Sequence, residues 1–246
     1  MVPKSRPDRD RDLQDLLDLL VGRREPVSGE RDLTDRLNVE LPLTTAAVTA
    51  PLGRSLHETS RHVARTNAWA VVGVADGRVV VLSHRPPRGL PAGTGSAPIG
   101  ADGKPEEIAA AVGLAAGAAD VAVRLGARLV EARAVAPLVA ILAMDQREQT
   151  AFLADCFAGL ATDPRGAVLL ATAAAVLTYP RNSEAARALH VHRHTLDYRM
   201  RRFREHTGLD LAEPATRFRC ELGLFLLGLF PFESRPAGGS GPPADP

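Results

Sequence analysis

NSEAARALHVHRHTLDYRMRRFREHTG, residues 182–208, reads as two helices joined by a very short connection. Asn182 and Ser183 are of the types that cap helix N-termini, and Ala185, Ala186 and Leu189 follow at positions that face inward on a short helix. Their small side chains let a second helix cross closely. Val191 fits the corner, and the second helix starts near residues 192–194. From there Leu196, Met200 and Phe203 recur at i, i+4 and i+7, one narrow apolar stripe at the helical period. His194, Thr195, Tyr198, Arg201 and Arg202 fall away from that stripe. A helix anchored along one thin line, with imidazole, hydroxyl, phenol and guanidinium groups opposite, is suited to lie in a groove.

A helix-turn-helix has this form, with its second helix presented to the DNA major groove. Leu196, Met200 and Phe203 are then the anchors. His194, Thr195, Tyr198, Arg201 and Arg202 are the candidate base readers, the arginines carrying the fork that guanine O6 and N7 accept. Arg193 and Arg199 are candidate phosphate contacts, which set position and not sequence. The plainer alternative is an amphipathic helical hairpin with a solvated arginine face. Charge separates the two. Between residues 165 and 206, eight arginines stand against Glu184, Asp197 and Glu205, a net of +5 on a chain whose total is +1. A local basic footprint on a nearly neutral chain favours nucleic acid.

The run AARALHVHRHTLDYRMRRFREHTGLDL resembles the C-terminal helix-turn-helix of the PucR/CdaR-type transcriptional regulators. The matching positions are Ala186, Leu189, Val191, His192, Arg193, Thr195, Leu196, Tyr198 and Arg199, within flanking helices that span residues 166–229. The resemblance implies sequence-specific DNA binding and control of transcription in a bacterial cytoplasm. It names no operator.

Ahead of this unit, residues 1–12 are charged and read as a ragged end, and Leu13, Leu16, Leu17, Leu19 and Leu20 build a short helix ending at Gly22. Alone it is marginal, so it should dock within the chain or across a dimer. Residues 23–36 read as a charged connection. Residues 41–52 suit a strand, 56–66 a helix, and VVGVADGRVVVLS two strands joined at Asp76-Gly77, the strongest hairpin signal in the chain. Together they suggest a β-α-β-β core layered by helices. The glycines and prolines of residues 84–95 argue against a central strand and for a mobile loop, with a short strand at 96–100. A helix follows from Pro105, a short strand near 128–132, a helix after Pro137 and another over 145–160. Residues 41–160 are similar in order and spacing to the degenerate GGDEF-like domain that precedes the helix-turn-helix in the same family. The Gly-Gly-Asp/Glu-Glu-Phe signature is missing, which disfavours nucleotide cyclisation. The family often carries a further sensory domain earlier, for which this chain is expected to have no room.

The expected fold is therefore α+β: a central β-α-β-β-type GGDEF-like domain followed by an all-α helix-turn-helix domain. The expected divisions are residues 1–36 (tail, short helix and linker), 37–162 (regulatory domain), 163–232 (DNA-binding domain) and 233–246 (a disordered Gly/Pro-rich tail). Residues 213–230 read as a last helix, capped near Asp210, whose apolar end LGLFLLGLFPF is too short to span a bilayer. That end packs between the domains or forms a dimer interface.

Cys156 and Cys220 have neither disulfide-framework nor metal-site spacing, which fits a reducing compartment. His190, His192 and His194 are two residues apart and so do not share a helical face, which disfavours zinc. No H-E-x-x-H, G-x-S-x-G or phosphate-binding glycine loop occurs, so no enzyme, metal or cofactor is expected. The expected partners are double-stranded DNA, a second copy of the chain in a two-fold dimer, and a small-molecule effector that the sequence does not identify; no membrane is expected. The alternative is a non-DNA interaction or ligand-sensing module derived from the same family.

Overall fold

A computed structural model of the chain describes residues 6–21, 23, 42–163 and 165–230. The chain divides into two compact units, Met1–Ala143 and Met144–Pro246. The first contains α1 (Arg6–Leu20), β1 (Thr45–Thr49), α2 (Leu56–Thr66), β2 (Val71–Ala75), β3 (Arg78–Ser83), β4 (Thr94–Pro98), α3 (Pro105–Arg124), β5 (Leu129–Glu131) and α4 (Ala136–Leu142). The second contains α5 (Gln146–Phe157), α6 (Gly166–Thr178), α7 (Asn182–Ala188), α8 (Arg193–Thr207) and α9 (Pro214–Leu226). A mixed sheet with helices followed by a helical region makes the chain α+β. The expectations for the connection 24–36 and the tail 233–246 lie outside the described residues.

In the first unit β1, α2, β2 and β3 follow in the β-α-β-β order. The sheet runs β2-β3-β1-β4-β5, antiparallel except for the parallel pair β4/β5. Asp76 and Gly77 both have positive φ (51° and 71°), the backbone of the tight hairpin turn that Asp-Gly favours. Helices cover both faces of the sheet. Val80 and Leu82 pack with Leu16, Leu17 and Ile108, whereas Val79 and Val81 pack with Val63 on the other side. Burial on both faces explains why β3 reads as an unbroken apolar run and not as an alternation.

Three expectations change here. Helix α1 begins at Arg6, inside the stretch read as a ragged end. Its leucines are covered within the chain and not by a dimer: Leu13, Leu16 and Leu17 are buried in the sheet core. Gly73 permits this approach, because a Cβ there would lie 2.6 Å from Leu17 Cδ2. The glycine- and proline-rich stretch also contains more order than expected. Strand β4 is interior, hydrogen-bonded to β1 and β5, and it includes Gly95 and ends on Pro98. A Cβ at Gly95 would stand 2.0 Å from Ala115 O and 2.3 Å from Ala119 N. Glycine is present because α3 crosses directly on this strand. The loop before β4 is tied rather than mobile: buried Asn67 donates to Arg88 O (2.9 Å) and accepts from Arg88 N (2.8 Å).

The second unit has its own core of Phe157, Leu160, Leu170, Ala173, Phe203, Cys220 and Leu224. Helix α5, grouped by sequence with the regulatory domain, contributes Cys156 and Phe157 to this core. Asp145 caps it by accepting from Glu148 N (2.7 Å), while Glu148 returns the bond to Asp145 N (3.0 Å). The described part of the apolar run after residue 222 also packs here, Leu224 fully and Leu227, Leu229 and Phe230 partly. Gly223 lets α9 approach, since a Cβ would be 2.7 Å from Phe157 Cε2. Among the described residues no helix is long and apolar enough to cross a membrane.

Candidate nucleic-acid interface

The crossing of α7 and α8 is built on small residues. Ala175 of α6, Ala185 and Ala186 of α7, and Leu196 of α8 form one buried cluster, with Leu189, Val191 and Met200 packed partly against it. The connection is tight. His190 takes a left-handed backbone (φ 54°), His190 N donates to Arg187 O at 3.0 Å and Val191 N to Ala186 O at 2.9 Å. Val191 thereby enters the corner. Asn182 and Ser183 do not cap α7, because Arg181 occupies the extended cap position after Pro180 and both lie in the first helical turn.

Helix α8 is bounded clearly. His192 is its N-cap, and its Nδ1 accepts from His194 N at 3.3 Å, which places any proton of the neutral ring on Nε2. Gly208 ends it in the left-handed region (φ 71°), where glycine carries no steric penalty. Leu196 and Phe203 are fully buried and Met200 is half-buried, so the apolar stripe is the face that holds α8 down. His194, Tyr198, Arg201 and Arg202 are exposed on the outer side, and Thr195 is half-buried at its edge. Tyr198 leaves 53% of its surface open and Arg201 stacks over its ring at 5.7 Å, within cation–π range.

The arginines divide into distinct groups. Arg193 is exposed, Arg199 is half-buried on the flank, and neither forms an ion pair among the described residues. Arg202 contacts Glu205 at 3.0 Å and Arg204 contacts Asp210 at 3.1 Å. Sequence reasoning counted Glu205 only as charge; its spacing of three from Arg202 was the available signal. His206 lies 3.3 Å from Ala158 O, so it is engaged by the unit itself. Among the described residues no group of three His, Cys, Asp or Glu side chains could hold a metal ion. Burial pushes the Cys220 thiol up to about 12 and also raises that of Cys156, leaving both protonated and inert.

Residues 169–226 match the model of the PucR C-terminal helix-turn-helix domain. Over 79 residues the chain is 40% identical to the transcriptional activator PmfR of Paenarthrobacter nicotinovorans, a stretch covering 31% of this chain and 17% of that protein. The match thus spans only a small part of that relative's length. The crystal structure of a regulator of polyketide synthase expression from Bifidobacterium adolescentis aligns over 90% of this chain and 94% of that one. Its identity is 18% and its TM-score 0.38, a superposition too loose to equate the two folds. Residues 169–226, holding most of α6 and all of α7, α8 and α9, carry a helix-turn-helix of the PucR C-terminal type.

Proposed function

We propose that this chain is a sequence-specific DNA-binding transcription regulator in which α8 enters the major groove. One observation carries the proposal: α8 is pinned by Leu196 and Phe203, while its opposite face leaves His194, Tyr198, Arg201 and Arg202 open. In this role His194, Thr195, Tyr198, Arg201 and Arg202 read base edges, and Arg193 and Arg199 hold phosphates. Arg202 exchanges Glu205 for guanine, or keeps one nitrogen on each. The DNA-binding domain comprises residues 163–232, with α5 docked on it. The first unit is a degenerate GGDEF-like regulatory or dimerisation domain without turnover, and the protein acts as a cytoplasmic dimer on a two-fold operator. The β-α-β-β order supports that ancestry, and the absence of the signature at the Asp76-Gly77 hairpin supports the loss of chemistry.

Selection of bound sequences from a random duplex pool tests the proposal. The wild-type protein should enrich a two-fold motif. Arg202→Ala should relax one symmetric pair of positions, losing about 1–3 kcal/mol of discrimination there. No enrichment by the wild type, with or without candidate small molecules, would favour the non-DNA module.

A further inference from the structure

Strand β2 forms one edge of the sheet, and no described strand lies beyond it. The two-residue hairpin fixes which of its peptides face outward. Ala75 is opposite Arg78, so Ala75, Gly73 and Val71 exchange hydrogen bonds with β3, and the peptide groups of Val74 and Val72 point away. These two are treated differently. Gln14 of α1 closes off Val74: its side-chain amide accepts from Val74 N–H at 2.8 Å and donates to the Val74 carbonyl at 3.0 Å. The amide acts there as the peptide of a further strand would. Val72 has no such cover from any described residue and lies along an open groove of about 1110 Å³.

Small residues give the groove its depth, with Ser60 and Ala64 on α2 and Ala70 and Gly73 at the strand. The charged groups on its rim are Arg61, Arg65, His57 and Glu58. Neither guanidinium forms an ion pair among the described residues. An unpaired strand edge beneath two unpaired arginines combines main-chain pairing with charge selection.

We propose that this groove docks an extended acidic peptide from a partner protein, which pairs with β2 at Val72 and sets carboxylates against Arg61 and Arg65. The volume exceeds the roughly 300–1000 Å³ of small-molecule pockets, which favours a peptide over a single anion. Charge disfavours a second copy of this chain. Antiparallel pairing of β2 with its own copy places both α2 rims on the same face, with two guanidiniums against one carboxylate on each. Gln14 limits the pairing to one end of the strand, so the peptide enters from the Ala70 side.

The test uses the full chain and a fluorescein-labelled peptide of alternating valine and glutamate, followed by anisotropy and amide hydrogen exchange. Saturable binding should weaken at least about fivefold in the Arg61→Gln/Arg65→Gln variant, and similarly when the peptide's glutamates become glutamines. Ala64→Leu, which fills the trough, should abolish binding while far-ultraviolet dichroism stays native. Exchange at Val72 N–H should slow on binding, with Val74 unchanged. Absence of saturable binding, an unshifted Val72, or equal competition by free glutarate overturns the proposal. Protection of Val72 that rises with protein concentration alone, marking a second copy in the groove, also overturns it.

Discussion

Leu196 and Arg202 belong to the same helix and face opposite ways, so their substitution separates folding from reading. Leu196 is fully buried between α7 and α6, and Leu196→Ala should destabilise the second unit by about 2–5 kcal/mol through lost transfer energy and a cavity. Arg202→Ala removes an exposed side chain whose one ion pair is half-solvated, and should change stability by no more than about 0.5 kcal/mol. Urea denaturation of the two variants checks the contrast; equal midpoints would show that Leu196 is not the anchor. Cys220 supplies a second residue-scale test. Burial lifts its thiol from 9.0 to about 12, so over that interval the unfolded chain releases a proton that the folded chain retains. Stability therefore falls as pH rises through the window, being fully present below the unfolded value. Cys220→Ala should show a smaller drop in urea midpoint between about pH 8 and about pH 10 than the wild type. An identical drop would mean that Cys220 is ionised or accessible in the folded chain.

Helix α3 contains two kinds of glycine contact, one on the strand it crosses and one on its own exposed side. Gly95→Ala would drive a methyl into backbone atoms of α3 at 2.0 and 2.3 Å, which cannot rotate away. The variant should lose about 3 kcal/mol or more. Gly113→Ala meets nothing within 4 Å and replaces a poor helix former, so it should gain about 0.5–1 kcal/mol. Thermal denaturation of the pair decides whether close crossing, and not glycine content, organises this layer. The same contrast explains what the sequence disclosed. The stripe Leu196, Met200, Phe203 and the Asp76-Gly77 turn are local signals, and the elements they mark lie where expected. Strand β4 was obscured because its glycine and proline suppress strand propensity, and the reason for Gly95 is a helix later in the chain. Membership of α5 in the second unit was likewise hidden, since Cys156 and Phe157 meet Cys220 and Leu224, far along the sequence. Of the candidate site, periodicity alone separated the outer face of α8 from its anchors. It missed the Arg202–Glu205 contact and His192 as the actual cap donor's partner, and it placed the α7 cap one residue late.

Charge at the scale of the whole molecule gives the means to count DNA contacts and copies together. The chain is only +1, yet residues 165–206 carry +5 and the remainder −4, so attraction to a duplex comes from a local patch and not from net charge. Each phosphate neutralised contributes about −0.9 to the slope of log binding constant against log salt. Arg193 and Arg199 have no carboxylate partner among the described residues, so a phosphate is the natural counter-charge for each. Arg204 is already paired with Asp210 and serves as the control. If one chain binds, Arg193→Ala should make the slope shallower by about 0.9; if a two-fold dimer binds, the same substitution acts twice and the change is about 1.8. Arg199→Ala should match it, Arg204→Ala should leave the slope nearly unchanged, and random duplex should respond like the operator because phosphates carry no sequence. Sedimentation of the complex gives the copy number independently. The expected outcome is the larger change with two chains per duplex; slopes unaffected by either Arg193→Ala or Arg199→Ala would remove both residues from the interface, whatever the stoichiometry.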